Sequence, residues 1–332
     1  MILSDLHVSP IKEMNILKVF TFPSRNLIYV IPFIILLALV CGLFVDTSSL
    51  KNLLLPVAML TVFPAMIGFQ PRELLKLTDI RLLSANLLLN FIALPLSALL
   101  IGMILLEPWP ELRLGLLIIS VVPGGNMAVA FTMLFKGNVE VSLKLSTMNL
   151  LLGSLLAPLY LYILAGTLVE IAPYHIGKTI GLIVLVPLCA GVIVYNFLLK
   201  RFGREHFKRE IKPLLPAFSV WGLIYLVFTS VSVKAEMIFS YPELVIQALS
   251  SLLLWYSIIF ILCISIGRYF FSHKDAISLL LNVELRNLPI CMGLAVTAFP
   301  PQTAMMVALA FLFQQQLALW VLKLDQRYRL LG

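Results

Sequence analysis

Two short stretches of the sequence place helix-breaking residues beside groups that bind ions. The first is VVPGGNMAVA (121–130), and the second is NVELRNLPICMG (282–293), which carries Glu284 and Arg286 before Pro289. A helix that stops leaves free carbonyl groups, and a helix that starts presents free amide groups. Carbonyl groups attract a cation and amide groups attract an anion, so each stretch predicts an ion-binding break within a helix.

The surrounding segments must hold these breaks inside a membrane. Of the 332 residues, 61% are hydrophobic and 12% are charged, and apolar segments of about 20 residues, enough to cross a bilayer as helix, recur along the chain. We therefore expect an all-α integral membrane protein with ten transmembrane helices. The predicted spans are 27–44, 53–70, 82–106, 112–135, 139–167, 176–199, 214–233, 244–271, 276–299 and 303–323.

Lysine and arginine are distributed unevenly around these spans, and this predicts their orientation. With both termini in the cytoplasm, eighteen of the 24 basic residues fall in inner segments and four in outer loops. Short cytoplasmic loops collect positive charge. The net charge of +8 is therefore a sign of topology and not of nucleic-acid binding. We expect a multi-pass protein of the cell membrane, such as a bacterial inner membrane, with both termini cytoplasmic.

The two breaks fall at matching positions of two halves. Pro123 and Pro289 are 166 residues apart, half the chain length, and each lies in the fourth span of a five-span half. An odd number of spans gives the halves opposite orientation, the pattern of an inverted-topology repeat whose broken helices four and nine cross near the midplane. The predicted parts are an N-terminal arm (1–26), a first repeat (27–199), a basic inner loop (200–213), a second repeat (214–324) and a cytoplasmic tail (325–332).

Polar side chains in other spans are candidates to line the same site. Span five carries Ser142, Ser146 and Asn149 on one helix face, span three carries Asn90, and span ten carries Gln315. Unwound backbone is tolerated at membrane depth only where it is buried in protein or faces a cavity. Polar groups near two breaks therefore favour a binding site over simple helix contacts. For Gln314 and Gln316, which flank Gln315, the sequence does not decide between a role in the site and a role in helix packing.

Charged residues inside the spans have more than one interpretation. Glu284 and Arg286 could pair with each other as a structural element, or they could bind an anion and a coupling ion. Glu140 and Lys144 are four residues apart and are expected to form a helical ion pair. The cysteines lie singly in different spans and are expected to be small packing residues: Cys41, Cys189, Cys263 and Cys291.

The run from the first break through span five, VVPGGNMAVAFTMLFKGNVEVSLKLSTMNLLLGSLLAPLYLYILAG, resembles the corresponding region of the bile acid:sodium symporter family. Members of that family have a PGG motif, a KG or RG turn, a serine-rich fifth helix and, in span nine, RN or QN, here Arg286 and Asn287. The resemblance implies a core of spans three to five and eight to ten that moves against a panel of the other spans. It also implies transport of an organic anion by alternating access, usually driven by sodium.

The functional positions of that family match this chain in part. Ala128 and Val129 stand where sodium-binding members have a Ser-Asn pair, and Asn282 stands where they have an acidic residue. Arg286 replaces a neutral amide, and Glu284 is displaced by two residues from the acidic position. The remaining oxygen ligands suffice for one cation site but hardly for two.

The resemblance and the polar residues together define two predicted sets. The substrate-binding set, for a small organic anion, is Gly124, Gly125, Asn126, Arg286, Asn287 and Gln315. The cation-binding set, for sodium as the coupling ion, is Asn90, Ser142, Ser146, Asn149, Asn282 and Glu284. We expect no catalytic residue and no cofactor apart from this ion, and the sequence does not indicate an oligomeric state.

The predicted function is secondary active transport of a small organic anion, such as a bile-acid-like compound, a keto acid or a related carboxylate, coupled to sodium. The alternatives are proton coupling through Glu284, uncoupled transport with Arg286 in place of a bound cation, an arsenite efflux permease, and a receptor that does not transport. Arsenite permeases place a reactive cysteine in the broken fourth helix, where this chain has none. The chain has no HExxH, GxSxG or nucleotide-binding P-loop motif, which indicates that it is not an enzyme.

Overall fold

The computed structural model of the protein describes residues 10–67, 79–124, 126–165, 182 and 186–332. Within these ranges the regular secondary structure is helical, and no strand is present. The α-helices are α1 (Pro10–Arg25), α2 (Leu27–Phe44), α3 (Leu54–Met66), α4 (Ile80–Leu88), α5 (Leu94–Leu105), α6 (Pro110–Val121), α7 (Asn126–Leu134), α8 (Val139–Ala165), α9 (Val186–His206), α10 (Leu215–Ser232), α11 (Ala235–Ser240), α12 (Pro242–Phe270), α13 (His273–Glu284), α14 (Leu288–Ala298) and α15 (Pro301–Tyr328).

Six helices in the described ranges are long and apolar enough to cross a membrane, which supports a multi-pass membrane protein. They are Ile80–Leu105, Val139–Leu164, Arg209–Ser232, Pro242–Phe270, His273–Ala298 and Pro301–Tyr328. A pair of segments bent by 88°, Leu17–Arg25 and Tyr29–Phe44, makes a seventh if it is counted as one span. The ten-span inverted repeat stays a prediction, since parts of spans two and six lie outside the described residues.

The basic segment 200–213, which we expected to be an inner loop, is helical instead. Helix α9 reaches His206, and a π-turn and a short 3-10 turn cover the residues up to Leu214. Gly203 interrupts α9 with φ of +78°, a conformation that glycine adopts without steric cost. Charge alone does not distinguish an exposed loop from an exposed helix, and the place of this segment as the inner connection between spans six and seven stays a prediction.

The N-terminal arm and the C-terminal tail are also more helical than their predicted boundaries implied. Residues of the arm form α1, and α15 continues to Tyr328, beyond the predicted end of span ten. Residues 1–9 lie outside the described part of the chain. Helical propensity therefore extends past the apolar segments that define the spans, because polar residues such as those of α1 also favour helix.

The helices pack as two groups with α14 between them. In one group α10 packs against α2 and α3, and α3 also packs against α9. The other group contains α4–α8 and α12–α15, and its member α14 contacts both α3 and α10. Gly222 of α10 allows a close approach, since a Cβ atom there would lie 2.1 Å from the Thr61 hydroxyl of α3. The helix that follows the second break therefore meets the neighbouring group, as does α15, which contacts α2 and α10.

Both sequence-predicted breaks are present, and they touch. The first break, with described residues 122–124, separates α6 from α7, and the second break, residues 285–287, separates α13 from α14. A Cβ atom on Gly124 would lie 1.9 Å from the backbone carbonyl oxygen of Leu285. Only a glycine permits this approach of one backbone to another, so the sequence of the first break sets the distance between the two breaks.

Candidate functional site

A π-turn brings a polar side chain of span three toward the second break. The turn, Leu89–Ala93, joins α4 to α5 and contains Asn90, which is fully buried. The carbonyl of Phe91, within the turn, accepts a hydrogen bond from the Tyr160 hydroxyl of α8. Single π-turns within α-helices are frequent at functional sites. This one places the Asn90 amide against a residue of the second break, Arg286.

Arg286 is 3% exposed, and its guanidinium group donates hydrogen bonds on several sides. Nε donates to the carbonyl of Ile119 at 3.0 Å, and Nη2 donates to the carbonyl of Ser120 at 2.5 Å. Nη1 donates to the carbonyl of Val283 at 3.1 Å and to Oδ1 of Asn90. A guanidinium group has five N–H donors, so four of them have acceptors within the protein.

The carbonyl partners of Arg286 belong to two helix ends. Ile119 and Ser120 lie in the last turn of α6, and Val283 lies in the last turn of α13. Each helix C-terminus carries the negative end of its dipole. The positive guanidinium group therefore lies at the position where the two broken helices together attract a cation.

Glu284, two residues away, has no comparable partners. It is fully buried, and neither carboxyl oxygen has a hydrogen-bond partner among the described residues. The described ion pairs include Lys144–Glu140 at 2.8 Å, which confirms the expected helical pair, but none joins Glu284 to Arg286. The alternative in which Glu284 and Arg286 pair with each other is therefore wrong, because Arg286 turns toward carbonyl groups instead.

A row of buried amides connects Asn90 to α8 and α13. Nδ2 of Asn90 donates to Oδ1 of Asn86 at 3.0 Å, and Nδ2 of Asn86 donates to Oδ1 of Asn149 at 2.6 Å. Nδ2 of Asn149 donates to the backbone carbonyl of Asn282 at 3.1 Å. All four residues are buried. A network with donors and acceptors matched in this way rigidifies its helices and links span three to spans five and nine.

The side chain of Asn282 continues this network toward α7. Its Oδ1 accepts a hydrogen bond from Ser146 at 2.7 Å, and its Nδ2 donates to Ser142 and to the carbonyl of Ser278, each at 2.8 Å. Thr132 of α7 donates to Ser142 at 2.9 Å. Since a carbonyl oxygen only accepts, the atom that faces Ser278 must be the amide nitrogen. The structure thus brings four of the predicted cation ligands together, Ser142, Ser146, Asn149 and Asn282, with an N–H group directed at the Ser142 oxygen.

The predicted anion-binding residues occupy both breaks. Gly124 lies in the first break, Asn126 begins α7, and Asn287 lies half-buried in the second break. Gly125 lies outside the described residues, and so does the side chain of Asn126. These backbone positions agree with the predicted amide-lined ends of α7 and α14, and their contact with an anion stays a prediction.

Gln314, which the sequence left undecided, holds the backbone of Arg286. Its Nε2 donates to the Arg286 carbonyl at 3.2 Å, and its Oε1 accepts from the Arg286 amide at 2.9 Å and from the Tyr256 hydroxyl at 3.4 Å. The predicted residue Gln315 instead donates to the sulfur of Met127 at 3.5 Å. Only the rotational phase of α15 separates the two glutamines, and a single sequence does not fix that phase.

Sequence reasoning missed a crevice that opens between the two helix groups. It has a volume of about 380 Å³ and is lined by Lys51, by Thr229 of α10 and by Thr297 of α14, together with apolar residues of α3 and α14. The hydroxyl oxygen of Thr229 is buried without a hydrogen-bond partner in the described structure. From the sequence, Lys51 is one of the four basic residues of the predicted outer loops. The α3/α14 crevice, as we call it, therefore combines a cationic group and a free hydroxyl with apolar walls.

The His, Cys, Asp and Glu residues in the described part of the chain are the candidates for metal-binding and thiol chemistry. No three residues among its His, Cys, Asp and Glu are grouped so that they could hold a metal ion. Cys263 and Cys291 are buried, as expected for packing residues, whereas Cys189 is exposed. Each cysteine stands alone, so the structure offers no paired thiols.

Comparison with known proteins agrees with this architecture. Residues 53–241 match the model of the sodium bile acid symporter family. The chain is similar to the uncharacterized sodium-dependent transporter YocS of Bacillus subtilis, with 26% identity over 204 residues, which is 58% of each chain. It is also similar to the arsenical-resistance protein Acr3 of Corynebacterium glutamicum, with 24% identity over 267 residues, or 73% of this chain and 70% of that protein.

A human protein shows a similar relationship. The hepatic sodium/bile acid cotransporter of Homo sapiens is 26% identical over 231 residues, which cover 66% of this chain and 62% of that protein. The matched family region contains the first break and spans more than half of the chain. The PGG break, the hydroxyl-bearing fifth span and this match lead to one conclusion: the chain belongs to the sodium bile acid symporter family.

Proposed function

We propose that this chain is a secondary transporter that moves a small organic anion across the cell membrane by alternating access. The observation that carries the proposal is the contact between the two breaks, where Gly124 meets the Leu285 carbonyl. Unwound backbone inside a membrane protein is tolerated where it is buried or lines a cavity, and paired breaks are typical of transport sites. Family membership supports transport over catalysis.

The α3/α14 crevice supports an anion with an apolar body as the transported ligand. Its volume of about 380 Å³ falls within the range of about 300–1,000 Å³ that ligand pockets have. Lys51 is exposed and can neutralise a carboxylate or sulfonate in the crevice. Because α14 both lines the crevice and follows the second break, a movement at the break would reach the bound anion. The amide-lined set at the breaks, including Gly124 and Asn287, would then receive the anion further inside.

The coupling ion is a separate part of the proposal. The sequence predicts sodium, and relatives named as sodium-dependent or sodium/bile acid transporters support that choice. Proton coupling through Glu284 and uncoupled transport are the alternatives. The contacts of Arg286 and Asn282 favour transport without sodium, because they occupy oxygen atoms that a cation would need.

Uptake by purified protein in liposomes tests the function and the crevice together. A panel of radiolabelled carboxylates and sulfonates is offered, and the best substrate is used for variants. Lys51→Gln should lower uptake about tenfold by raising KM, since a hydrogen bond to a charged group contributes about 1.5–3 kcal/mol. Lys234→Gln is the matched control, because Lys234 is a nearby lysine that does not line the crevice.

Three results would contradict parts of this proposal. Binding without accumulation in the liposomes would replace transport with the receptor alternative. Equal loss in Lys51→Gln and Lys234→Gln would remove the crevice from the anion path and leave a general effect of surface charge. Transport of arsenite in place of every organic anion would assign the chain to the arsenite branch.

A further inference from the structure

The oxygen atoms around Arg286 form the kind of environment in which transporters hold a cation. Three of them are backbone carbonyls at the ends of α6 and α13, and the fourth is the amide oxygen of Asn90. Carbonyl and amide oxygens are the ligands that hard cations take in proteins. In this chain the guanidinium group of Arg286 engages all four, so the same oxygens are not available to a free ion.

The second candidate cation position is also filled by the chain itself. A metal ion near Ser142 and Ser146 would need lone pairs, but Nδ2 of Asn282 directs N–H groups at Ser142 and at the Ser278 carbonyl. Ala128 and Val129 of α7 stand where sodium-binding members of the family have a Ser-Asn pair. Neither residue has a side-chain oxygen. Asn282 is neutral and therefore supplies no charge to hold a cation. The residues present do not fit a sodium ion at this position.

We infer that Arg286 takes the place of a coupling cation, so that this transporter binds and moves its anion without sodium. The inference rests on the proposed function, because it concerns how the anion carrier is driven. A positive charge that is covalently attached remains between the ends of α6 and α13 throughout the transport cycle. It supplies the electrostatic effect of a bound ion, but it cannot carry energy from a sodium gradient.

The occluded position of Arg286 supports this role over direct contact with the anion. Four of its five N–H groups are already used, and its backbone is fixed on both sides by Gln314. An anion would have to displace carbonyl acceptors on two helices to reach the guanidinium group. Lys51 in the α3/α14 crevice is cationic and accessible and does not require that displacement.

Anion counterflow in liposomes tests the inference without any variant. Liposomes are loaded with unlabelled anion, and labelled anion enters in buffers that contain only NaCl or only choline chloride on both sides. We expect KM and maximal rate to agree within about twofold, whereas a coupled ion changes ligand affinity by about 5- to 150-fold. A sodium requirement of that size would overturn the inference and leave the proposed function intact. Absence of counterflow in both buffers would instead remove the proposed function.

A variant provides the reverse test. Arg286→Ala frees the carbonyl and amide oxygens and the space of the guanidinium group, so a sodium ion can now bind there. Thermal unfolding of this variant should shift upward by about 2 °C or more in sodium relative to choline, while the wild type should not shift. Arg113→Ala is the matched control, since Arg113 lies near the opposite end of α6 beside Gly102.

Each outcome of the unfolding experiment bears on the inference. A sodium shift in the wild type equal to that of Arg286→Ala would overturn it, and a shift confined to Arg286→Ala would support it. If Arg286→Ala does not assemble, the counterflow comparison on the wild type decides alone.

Discussion

The two breaks occupy matching positions of the chain but differ in chemistry. The first break consists of apolar residues, proline and glycine, and it contributes the bare backbone of Gly124 and the carbonyls that end α6. The second break carries Arg286 beside Glu284 and Asn287. The carbonyls before the first break accept hydrogen bonds from the guanidinium group of the second break. Matching positions in the two halves can therefore hold complementary groups.

The family match falls unevenly on these two regions. Residues 53–241 include the first break and end before the second. The region that matches the family model is thus separate from the break that carries Arg286. In the inference drawn above, the chain keeps the acceptor side of a cation position and supplies the positive charge through Arg286.

The substitution with the largest expected effect, Gly124→Ala, disrupts the contact between the first break and the second break. In Gly124→Ala a Cβ atom would lie 1.9 Å from the Leu285 carbonyl oxygen, and backbone on both sides must move. We expect loss of more than about 4 kcal/mol of stability, the size of exceptional core mutations, measured by thermal unfolding in detergent. Gly102→Ala is the control, because its nearest neighbour is the flexible Arg113 side chain at 3.3 Å. Equal stability of the two variants would contradict the contact.

The substitution with an intermediate expected effect, Gln314→Leu, removes the hydrogen bonds that join the second break to α15. Gln314→Leu leaves the Arg286 amide without its partner, at a cost of about 1–3 kcal/mol for a buried group, and removes one of the two donors to the Arg286 carbonyl, which still accepts from the Leu288 amide. Gln315→Leu removes only a contact with the Met127 sulfur and should cost less than about 1 kcal/mol. Chemical unfolding of both variants measures the difference, and a larger loss in Gln315→Leu would reverse the assignment.

The smallest expected effect is a gain, and it sharpens the contrast between the two charges of the second break. Glu284 is buried without hydrogen-bond partners among the described residues, so Glu284→Leu should raise the free energy of unfolding by about 1–2 kcal/mol. Glu140→Leu is the control, since that side chain is 78% exposed and should change stability by less than about 0.5 kcal/mol. Lower stability of Glu284→Leu would show that the carboxyl group stabilises the fold.

The same variant tests the proton-coupled alternative. If Glu284 carries a coupled proton, Glu284→Leu should lose concentrative uptake at every pH while it gains stability. Undiminished concentrative uptake in this variant would exclude Glu284 as the proton carrier.

Local sequence signals predicted the breaks but not the direction of the side chains around them. Proline and glycine identify both breaks, and the spacing of four between Asn86 and Asn90 places both amides on one face of span three. Serine spacing on α8 likewise identified the group that meets Asn282. These features depend on neighbours along one helix, and the spacing of residues in the sequence indicates which residues are neighbours.

The role of Arg286 depends on contacts that no local pattern contains. Its acceptor on α6, Ile119, is 167 residues away along the chain, so the sequence could not show whether the guanidinium group faces an anion or a helix end. The choice of Gln314 over Gln315 depends on how α15 is rotated against α13. The α3/α14 crevice arises from two helix groups whose relative position is a tertiary property.

The π-turn at Leu89–Ala93 makes the length of span three as important as its composition. An α-helix advances by about 100° per residue, so deletion of one residue from this turn would rotate α5 relative to α4 by that angle. Asn86, on α4, would keep its place, but Ser97 would turn away from the Trp255 indole, whose N–H it accepts at 3.1 Å. Single-residue insertions and deletions in this turn should therefore be rare among related transporters that retain both contacts, even where substitutions are common.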